Sequence, residues 1–358
     1  MRALLLPFCA AALFVAAPAG ARPLVAILAQ NGGTEITDLL VPYGVIARSG
    51  AADVQAVSTE EGPVELVPGP GLPGMKILAD TTLSRFEAAH PEGAAFVIVP
   101  ALLDSENLVT RAWLREQAAK GATLVSICDG SIVLAGTGLL DGHRATGHFA
   151  SADKRRAQFP KVEWIANTRF VHDGNFISSS GVSASLPTAL YLVEVLAGRE
   201  RALEVAEAQG LEDYSATHDS DTFQMGLGDL WLGAKNYVLG WPRDVYGLEL
   251  IPGIDEVGLG FAFDMLSRTF RARVPLVAPT SEVRTRHGLR VLRSEAPSDL
   301  PARAVPVRVG GPLNPPGLRI GEGARAAPDV LAYLAKHYGD RLSSFVAIQL
   351  EYPPAGAN

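Results

Sequence analysis

Thr123-Leu124-Val125-Ser126-Ile127-Cys128-Asp129-Gly130, followed by the apolar run Ser131 to Leu140, is the stretch on which the fold turns. A β-prone segment enters a tight turn flanked by small residues, Ser126 two before Cys128 and Gly130 two after it, and a helical pattern leaves the turn. A strand-to-helix elbow of this kind lifts one side chain above a sheet edge and sets it at a helix N-terminus. A thiol there is predicted to have a lowered pKa and an enlarged thiolate fraction, as a nucleophilic or oxidation-sensing cysteine needs. The competing expectation is a buried, inert cysteine.

Upstream of the elbow the chain alternates strand and helix patterns. Leu24 to Leu28 reads as a buried first strand, Thr34 to Arg48 as a helix interrupted by Pro42, and Val54 to Val57 as a second strand. The Pro/Gly-rich Glu61 to Gly74 reads as a hairpin-like excursion, Phe96 to Val99 as a strand ending at Pro100, and Thr110 to Ala119 as a helix. This alternation predicts an α/β fold with a mostly parallel sheet covered on both faces. Sites in such sheets lie at the carboxyl ends of the strands, where Cys128 follows one strand and Asp38 follows another by a short loop.

The 358 residues are 48% apolar with a formal charge of -7, enough for a large packed core. Arg2, the apolar Ala3 to Ala17 and the small triplet Ala19-Gly20-Ala21 match the three regions of a secretory signal peptide, with cleavage expected after Ala21. No other stretch approaches the roughly 20 apolar residues of a spanning helix, so a periplasmic or secreted protein without a membrane domain is expected. Removal of Arg2 would take the charge from -7 to -8, and no Lys/Arg-rich run occurs, which argues against a nucleic-acid partner. Cys9 falls within the signal, leaving Cys128 as a lone thiol in an exported chain, where an unpaired cysteine points to reactivity.

After the elbow, Asp173-Gly174 between apolar flanks is a hairpin signal, with His172 beside it on a surface strand, and Leu186 to Ala197 reads as a long helix. Five stretches then carry a family resemblance: Thr37-Asp38-Leu-Leu-Val-Pro42, Ser126-Ile-Cys128-Asp-Gly130, Leu139 to Phe149, Asp173-Gly174-Asn175, and Ser180-Gly181-Val-Ser183-Ala184. On these the chain resembles the DJ-1/PfpI superfamily, in the branch containing isonitrile hydratases and the sensor domains of AraC-type regulators. The resemblance implies a flavodoxin-like three-layer sandwich over residues 22–208, with no cofactor. It implies Cys128 as the reactive thiol and an acid four residues before a helix proline as its hydrogen-bonding partner. Asp38 fits that position and Glu35 is the other candidate. His148 falls on the family's Thr-His element, and Ala101, Asp129, Gly130 and Gly181 are implied to contact substrate. Asp129 stands where protease-like members carry His, Ala101-Leu102 where a glycine pair is common, and Thr146-Gly147-His148-Phe149 where the hydratase-like branch has Thr-Thr-His-Trp. Like-charge repulsion and desolvation are expected to keep Asp38 protonated, so that it donates to the Cys128 sulfur and passes a proton to substrate.

The second half resembles the first at an offset of 220 residues: Ile254 to Arg268 lies on Thr34 to Arg48, and Val274 to Ala278 on Val54 to Ser58. Leu248 to Ile251 is predicted as its first strand, Ala304 to Val309 as another, Asp329 to His337 as a helix and Phe345 to Leu350 as the strand before an elbow. Gly258 replaces Asp38, Ala262 replaces Pro42, and no Cys follows Cys128. Residues 247–358 are therefore expected to be a truncated, degenerate copy of the fold, packing as a pseudo-dimer partner or leaving room for a homodimer. The linker 209–246 carries His218-Asp219-Ser220-Asp221, read as a capped, solvated turn rather than a metal site. Its Leu230, Ala234, Tyr237 and Val238 are expected to pack across the junction, with Trp231, Tyr237 and Trp241 available as a lid over Cys128. Three functions remain open: a Cys-dependent hydratase or hydrolase acting on a small electrophile, a non-catalytic ligand- or redox-sensing module, and an interaction protein.

Overall fold

The computed structural model describes residues 22–212, 214–240, 244–314 and 316–353; the expected signal peptide and Trp241 lie outside them. Strands β1 (Leu24–Ala29), β2 (Asp53–Ser58), β3 (Pro63–Val67), β4 (Met75–Leu78), β5 (Phe96–Val99), β6 (Thr123–Ser126), β7 (Phe170–Asp173) and β8 (Phe176–Ser179) form the first unit. Its principal helices are α1 (Ile36–Ser49), α2 (Leu108–Ala119), α3 (Gly130–Ala135), α4 (Ser185–Ala197) and α5 (Arg199–Ala208). The main sheet runs β7-β8-β6-β5-β1-β2 and ends on the short Thr81–Thr82 strand; only the β7–β8 hairpin is antiparallel. Both faces are covered, as β1 shows residue by residue. Val25, Ile27 and Ala29 pack into one apolar cluster with α1 and α4, whereas Ala26 and Leu28 pack into another with Trp113 and Leu114 of α2.

The second unit comprises β9 (Asp244–Glu249), α7 (Glu256–Ser267), β10 (Leu276–Val277), β11 (Glu282–Arg284), β12 (Arg290–Leu292), β13 (Val305–Val309), β14 (Leu318–Ile320), α8 (Ala326–Tyr338) and α9 (Asp340–Gln349). β9 pairs with β10 and β13, and β13 with β14, all in parallel. Two expectations are corrected here. The first strand is Asp244–Glu249 rather than Leu248 to Ile251, so the unit begins a few residues earlier, where the offset of 220 lays it on β1. Phe345 to Leu350 lies at the end of α9 and is not a strand. Buried Leu342, Phe345, Val346, Gln349 and Leu350 follow helical spacing, and a short apolar run alone does not separate the two.

The second half is therefore shortened inside, not cut off before an elbow. At an offset of 141 residues Ser185 lies on Ala326, Gly198 on Gly339 and Arg199 on Asp340, so α8 and α9 answer to α4 and α5. β13 ends at 309 and β14 begins at 318, whereas β5 ends at 99 and β8 begins at 176; the elbow strand and helix fall in that missing interval. β14 accordingly pairs directly with β13.

The two units meet through α1 and α7, and through a shared sheet in which β12 pairs antiparallel with β4, Val291 opposite Ile77. A Cβ on Gly260 would meet Leu40 Cβ at 3.4 Å, and Leu40 is the position to which Gly260 corresponds at the 220 offset. The helices thus cross at equivalent residues about a pseudo-twofold axis. The ion pairs obey it: Arg268 Nη2 reaches Glu35 Oε1 (3.0 Å), and the corresponding Arg48 reaches Asp255 (3.4 Å).

Helix α6 (Leu227–Gly240) corrects a third expectation. It packs through Gly233, which approaches Phe345, and Asn236, which donates to the Thr269 carbonyl (3.0 Å), because the two smallest or most polar positions permit that close approach. Tyr237 sets its ring edge-on against Phe270, as expected, whereas Leu230, Trp231 and Val238 are exposed. Among the described residues no helix is long and apolar enough to cross a membrane.

At the α1/α7 crossing a Cβ on Gly260 would already touch Leu40, so a longer side chain there has to displace α1. Gly260→Leu should cost about 1–3 kcal/mol, read as a lower denaturant midpoint at unchanged slope; wild-type stability would mean that the crossing does not constrain the fold.

Candidate functional site around Cys128

The elbow is built by two close approaches. Ile127 N–H donates to the Val99 carbonyl (3.0 Å), and Cys128 N–H to the Ser180 carbonyl (3.1 Å), so β5 and the turn after β8 grip the chain on either side. Cys128 is left at φ 56°, a conformation L-residues rarely adopt and one found where function imposes strain. Gly130 then has to be glycine, since a Cβ would lie 2.0 Å from the Val99 carbonyl oxygen. Sequence and geometry agree to this point.

The electrostatics differ from expectation. The Cys128 thiol is 6% exposed, and burial, followed by the charges of Asp38, Asp129 and Glu35, pushes its pKa well above the usual value. The Asp129 backbone N–H facing the sulfur offsets only part of this. Helix α3 has six residues, and its dipole does not overcome a dehydrated setting that holds three acids. The resting group is a thiol.

Asp38, fully buried in the first turn of α1, donates its N–H to Glu35 Oε2 (2.7 Å) and accepts from the Ala101 N–H through Oδ2 (3.0 Å). No N–H or hydroxyl donor reaches its Oδ1, and the Glu35 carboxyl stands within hydrogen-bonding reach. Burial raises the Asp38 pKa to about 7, against the backbone bond from Ala101. Glu35, the N-cap of α1, is raised as well, by burial and then by Asp38. The Ala101 N–H is thus committed to Asp38 and is not free to contact substrate as expected.

The sequence did not single out the groups that the second unit brings here. Arg268 donates to Glu35 and, through Nε, to Asp264 Oδ1 (2.8 Å), while Thr37 Oγ1 donates to Asp264 Oδ2 (3.1 Å). Two buried carboxylates, Glu35 and Asp264, therefore share one arginine, whose charge also acts on Asp38. The available signal was the repeat itself, since the offset that lays Arg268 on Arg48 also predicts its crossing to Glu35.

His148 is placed differently from its expected role. Its Nδ1 accepts from the Ala150 N–H (3.2 Å), which leaves the proton on Nε2, donated to the Gln349 carbonyl (3.2 Å). Both ring nitrogens are engaged with backbone and neither bonds the thiol. Gly181 is closed in: a Cβ there would lie 2.8 Å from His148 Cδ2 and from Glu351. The Asp129 carboxylate turns toward the Ser151 hydroxyl and Arg155 (3.8 Å). On the outer side of this loop lies a cavity of about 180 Å³ lined by Gly147, Phe149, Arg155, Trp164 and Phe223; Cys128 does not line it. Within the linker, His218 points inward to Glu351 (2.7 Å), Asp219 caps its own turn, and Asp221 accepts from Asn167 (2.8 Å). Phe223, rather than Trp231 or Tyr237, borders the cavity beside the elbow, because residues 214–224 fold back on the first unit from Arg169 N–H, which donates to the Ala216 carbonyl (2.8 Å).

A carboxyl whose pKa is higher folded than unfolded stabilises the fold below the unfolded value, and the effect is lost as pH rises through the folded one. Asp38 should therefore make wild-type stability fall between about pH 4 and about 7 relative to Asp38→Asn. Denaturant midpoints across that range measure the difference, and parallel curves would contradict it.

The DJ-1/PfpI family model matches residues 24–195. The isonitrile hydratase of Pseudomonas putida is 32% identical over 170 residues, covering 46% of this chain and 68% of that enzyme. The Parkinson disease protein 7 homolog of Danio rerio is 31% identical over 201 residues, 54% of this chain and 100% of that protein. The crystal structure of Drosophila melanogaster DJ-1beta superposes with a TM-score of 0.47 at 24% identity, over 53% of this chain and 98% of that one. With the elbow motif in place and a relative matched along its whole length, the chain belongs to the DJ-1/PfpI family.

Proposed function

We propose that the protein is an exported, cysteine-dependent hydratase acting on a small electrophile, an isonitrile being the class that its similarity to the hydratase favours. The observation that carries this is Cys128, held at a strained elbow within the field of a buried Asp38 whose Oδ1 receives no N–H or hydroxyl donor and whose pKa is raised to about 7. A neutral thiol and a carboxylate that exchanges its proton near neutrality form a pair suited to addition rather than to redox sensing. Oxidation sensing needs a low-pKa, accessible thiol, and Cys128 is neither. Ligand sensing at the same site is the second reading, favoured by the buried setting of the thiol.

In the proposed reaction Asp38 takes the thiol proton as sulfur bonds to the terminal isonitrile carbon, then delivers it to that same carbon, giving a thioimidate. Water adds to this carbon, the C–S bond breaks, and an N-substituted formamide leaves with the thiol restored. The active form holds one proton on the Cys128–Asp38 pair, which titrates as a unit. We assign the approach of substrate to the cavity outside Gly147 and Phe149. The second unit, in this reading a degenerate copy of the first, stands in for a partner subunit by supplying Arg268 and Asp264. Residues 1–21 address the chain to the periplasm or exterior; no nucleic-acid partner is proposed.

Incubation of the mature chain with an alkyl isonitrile should yield the formamide, with kcat/KM rising through about pH 7 as Asp38 ionises. Asp38→Asn should lose roughly a hundredfold and Cys128→Ala about a thousandfold or more. Absence of formamide, or undiminished turnover by Cys128→Ala, would sink the proposal.

A further inference from the structure

Helix α9 ends in a turn that glycine usually closes. Glu351 N–H donates to the Ile348 carbonyl (3.1 Å) and Tyr352 N–H to the Ala347 carbonyl (2.9 Å), a pairing that sets residue 351 in the left-handed region at φ 52°. The chain contains its own control. At the offset of 141, α5 ends in the same turn, with Gly210 N–H on Glu207 (2.9 Å), Leu211 N–H on Ala206 (2.9 Å) and φ 83° at Gly210. Where the first unit has the unstrained residue, the second has a strained glutamate.

What that glutamate does is visible in its contacts. Glu351 is 0% exposed. Its Oε1 accepts from Phe149 N–H (2.6 Å) and its Oε2 from His218 Nε2 (2.7 Å), and His218 stacks on Phe223. Its carbonyl accepts from Ser183 Oγ (2.6 Å), and its side chain lies against Gly181, the neighbour of the Ser180 that holds the Cys128 N–H. Phe149 belongs to the same loop as His148, whose ring meets Gly181, and Ser151, which bonds the Asp129 carboxylate. One carboxylate from the second unit thus ties down both the loop and the turn that flank the elbow.

We propose that Glu351 is a positioning residue for the Cys128 site, acting through Phe149, His218 and Gly181 to hold the 146–151 loop closed over the thiol. The pocket formed by the Phe149 N–H and His218 is a carboxylate-binding site, filled from within the chain. The inference rests on Cys128 being the functional thiol.

Glu351→Gly in the full chain relieves the turn and empties the pocket. Alkylation of Cys128 by iodoacetamide, with the site confirmed by mass, should then run about tenfold faster than in wild type. Sodium formate, against sodium chloride at equal ionic strength, should return it at least halfway by refilling the pocket, which a general loosening would not allow. A wild-type rate, or a raised rate indifferent to formate, overturns the proposal. Should the glycine variant not fold, Glu351→Gln decides: it keeps the shape and loses the charge, and should be about threefold faster, so a rate equal to wild type overturns the proposal as well. Alkylation requires no turnover. A chain that hydrates no isonitrile yet shows this response sinks the functional reading alone, and one that turns over with an unresponsive Glu351 sinks this inference alone.

Discussion

Everything at the site depends on the crossing of α1 and α7. An acidic N-cap at each helix start faces an arginine near the end of the other, and the two helices touch where Leu40 and Gly260 coincide. Because α1 is buried along nearly its whole length, its first turn cannot hydrate Glu35 and Asp38. Their charge is instead managed by Arg268 and Asp264 from across the crossing. The same burial that makes the helix a structural wedge sets Asp38 to titrate near neutrality. A site on an outer helix would have had water to do this work, and its acid would have stayed ionised.

The twin of this arrangement shows what the fold needs without the chemistry. Asp255, the counterpart of Glu35, accepts from Gly258, Gly323, Arg48 and Arg286. Gly258, in the place of Asp38, has Val309 packed where a Cβ would stand, and the elbow strand is absent. Both Asp255 carboxylate oxygens accept hydrogen bonds, whereas Asp38 Oδ1 receives no N–H or hydroxyl donor. A buried carboxylate oxygen without such a donor carries a desolvation cost, and of the two helix starts it is the Cys128-bearing unit that bears it on an acid.

Much of the fold was legible because it depends on local pattern. The elbow announces itself through Ser126 and Gly130, and the strands around it through short apolar runs. Asp38 was legible only through the family resemblance, which implies an acid four residues before a helix proline. What was hidden depends on dielectric and on distant chain. Of the three acids around Cys128 only Asp129 is its neighbour in sequence, and neither the burial of the thiol nor the approach of Glu35 and Asp38 can be read there, so a thiolate was expected where burial favours the thiol. The α9 segment was misread as a strand because Phe345 to Leu350 is apolar by both periods, and with that misreading Glu351 went unnoticed. The outward apolar stripe of α6 was equally unreadable, since helical spacing tells that a face exists and not that anything covers it.

The β4–β12 ladder joins the two hairpins into one sheet, and both belong to a single chain. Two separate subunits meeting at such a surface would come apart on dilution, exchange partners and offer a reactive thiol on each side. Here the effective concentration of one half for the other is set by the connecting peptide and not by how much protein is present. The two halves are also free to diverge, since a substitution in one is not copied into the other. A molecule built this way can keep the elbow thiol in one half, surrender its counterpart in the other for packing, and still hold its interface at any dilution.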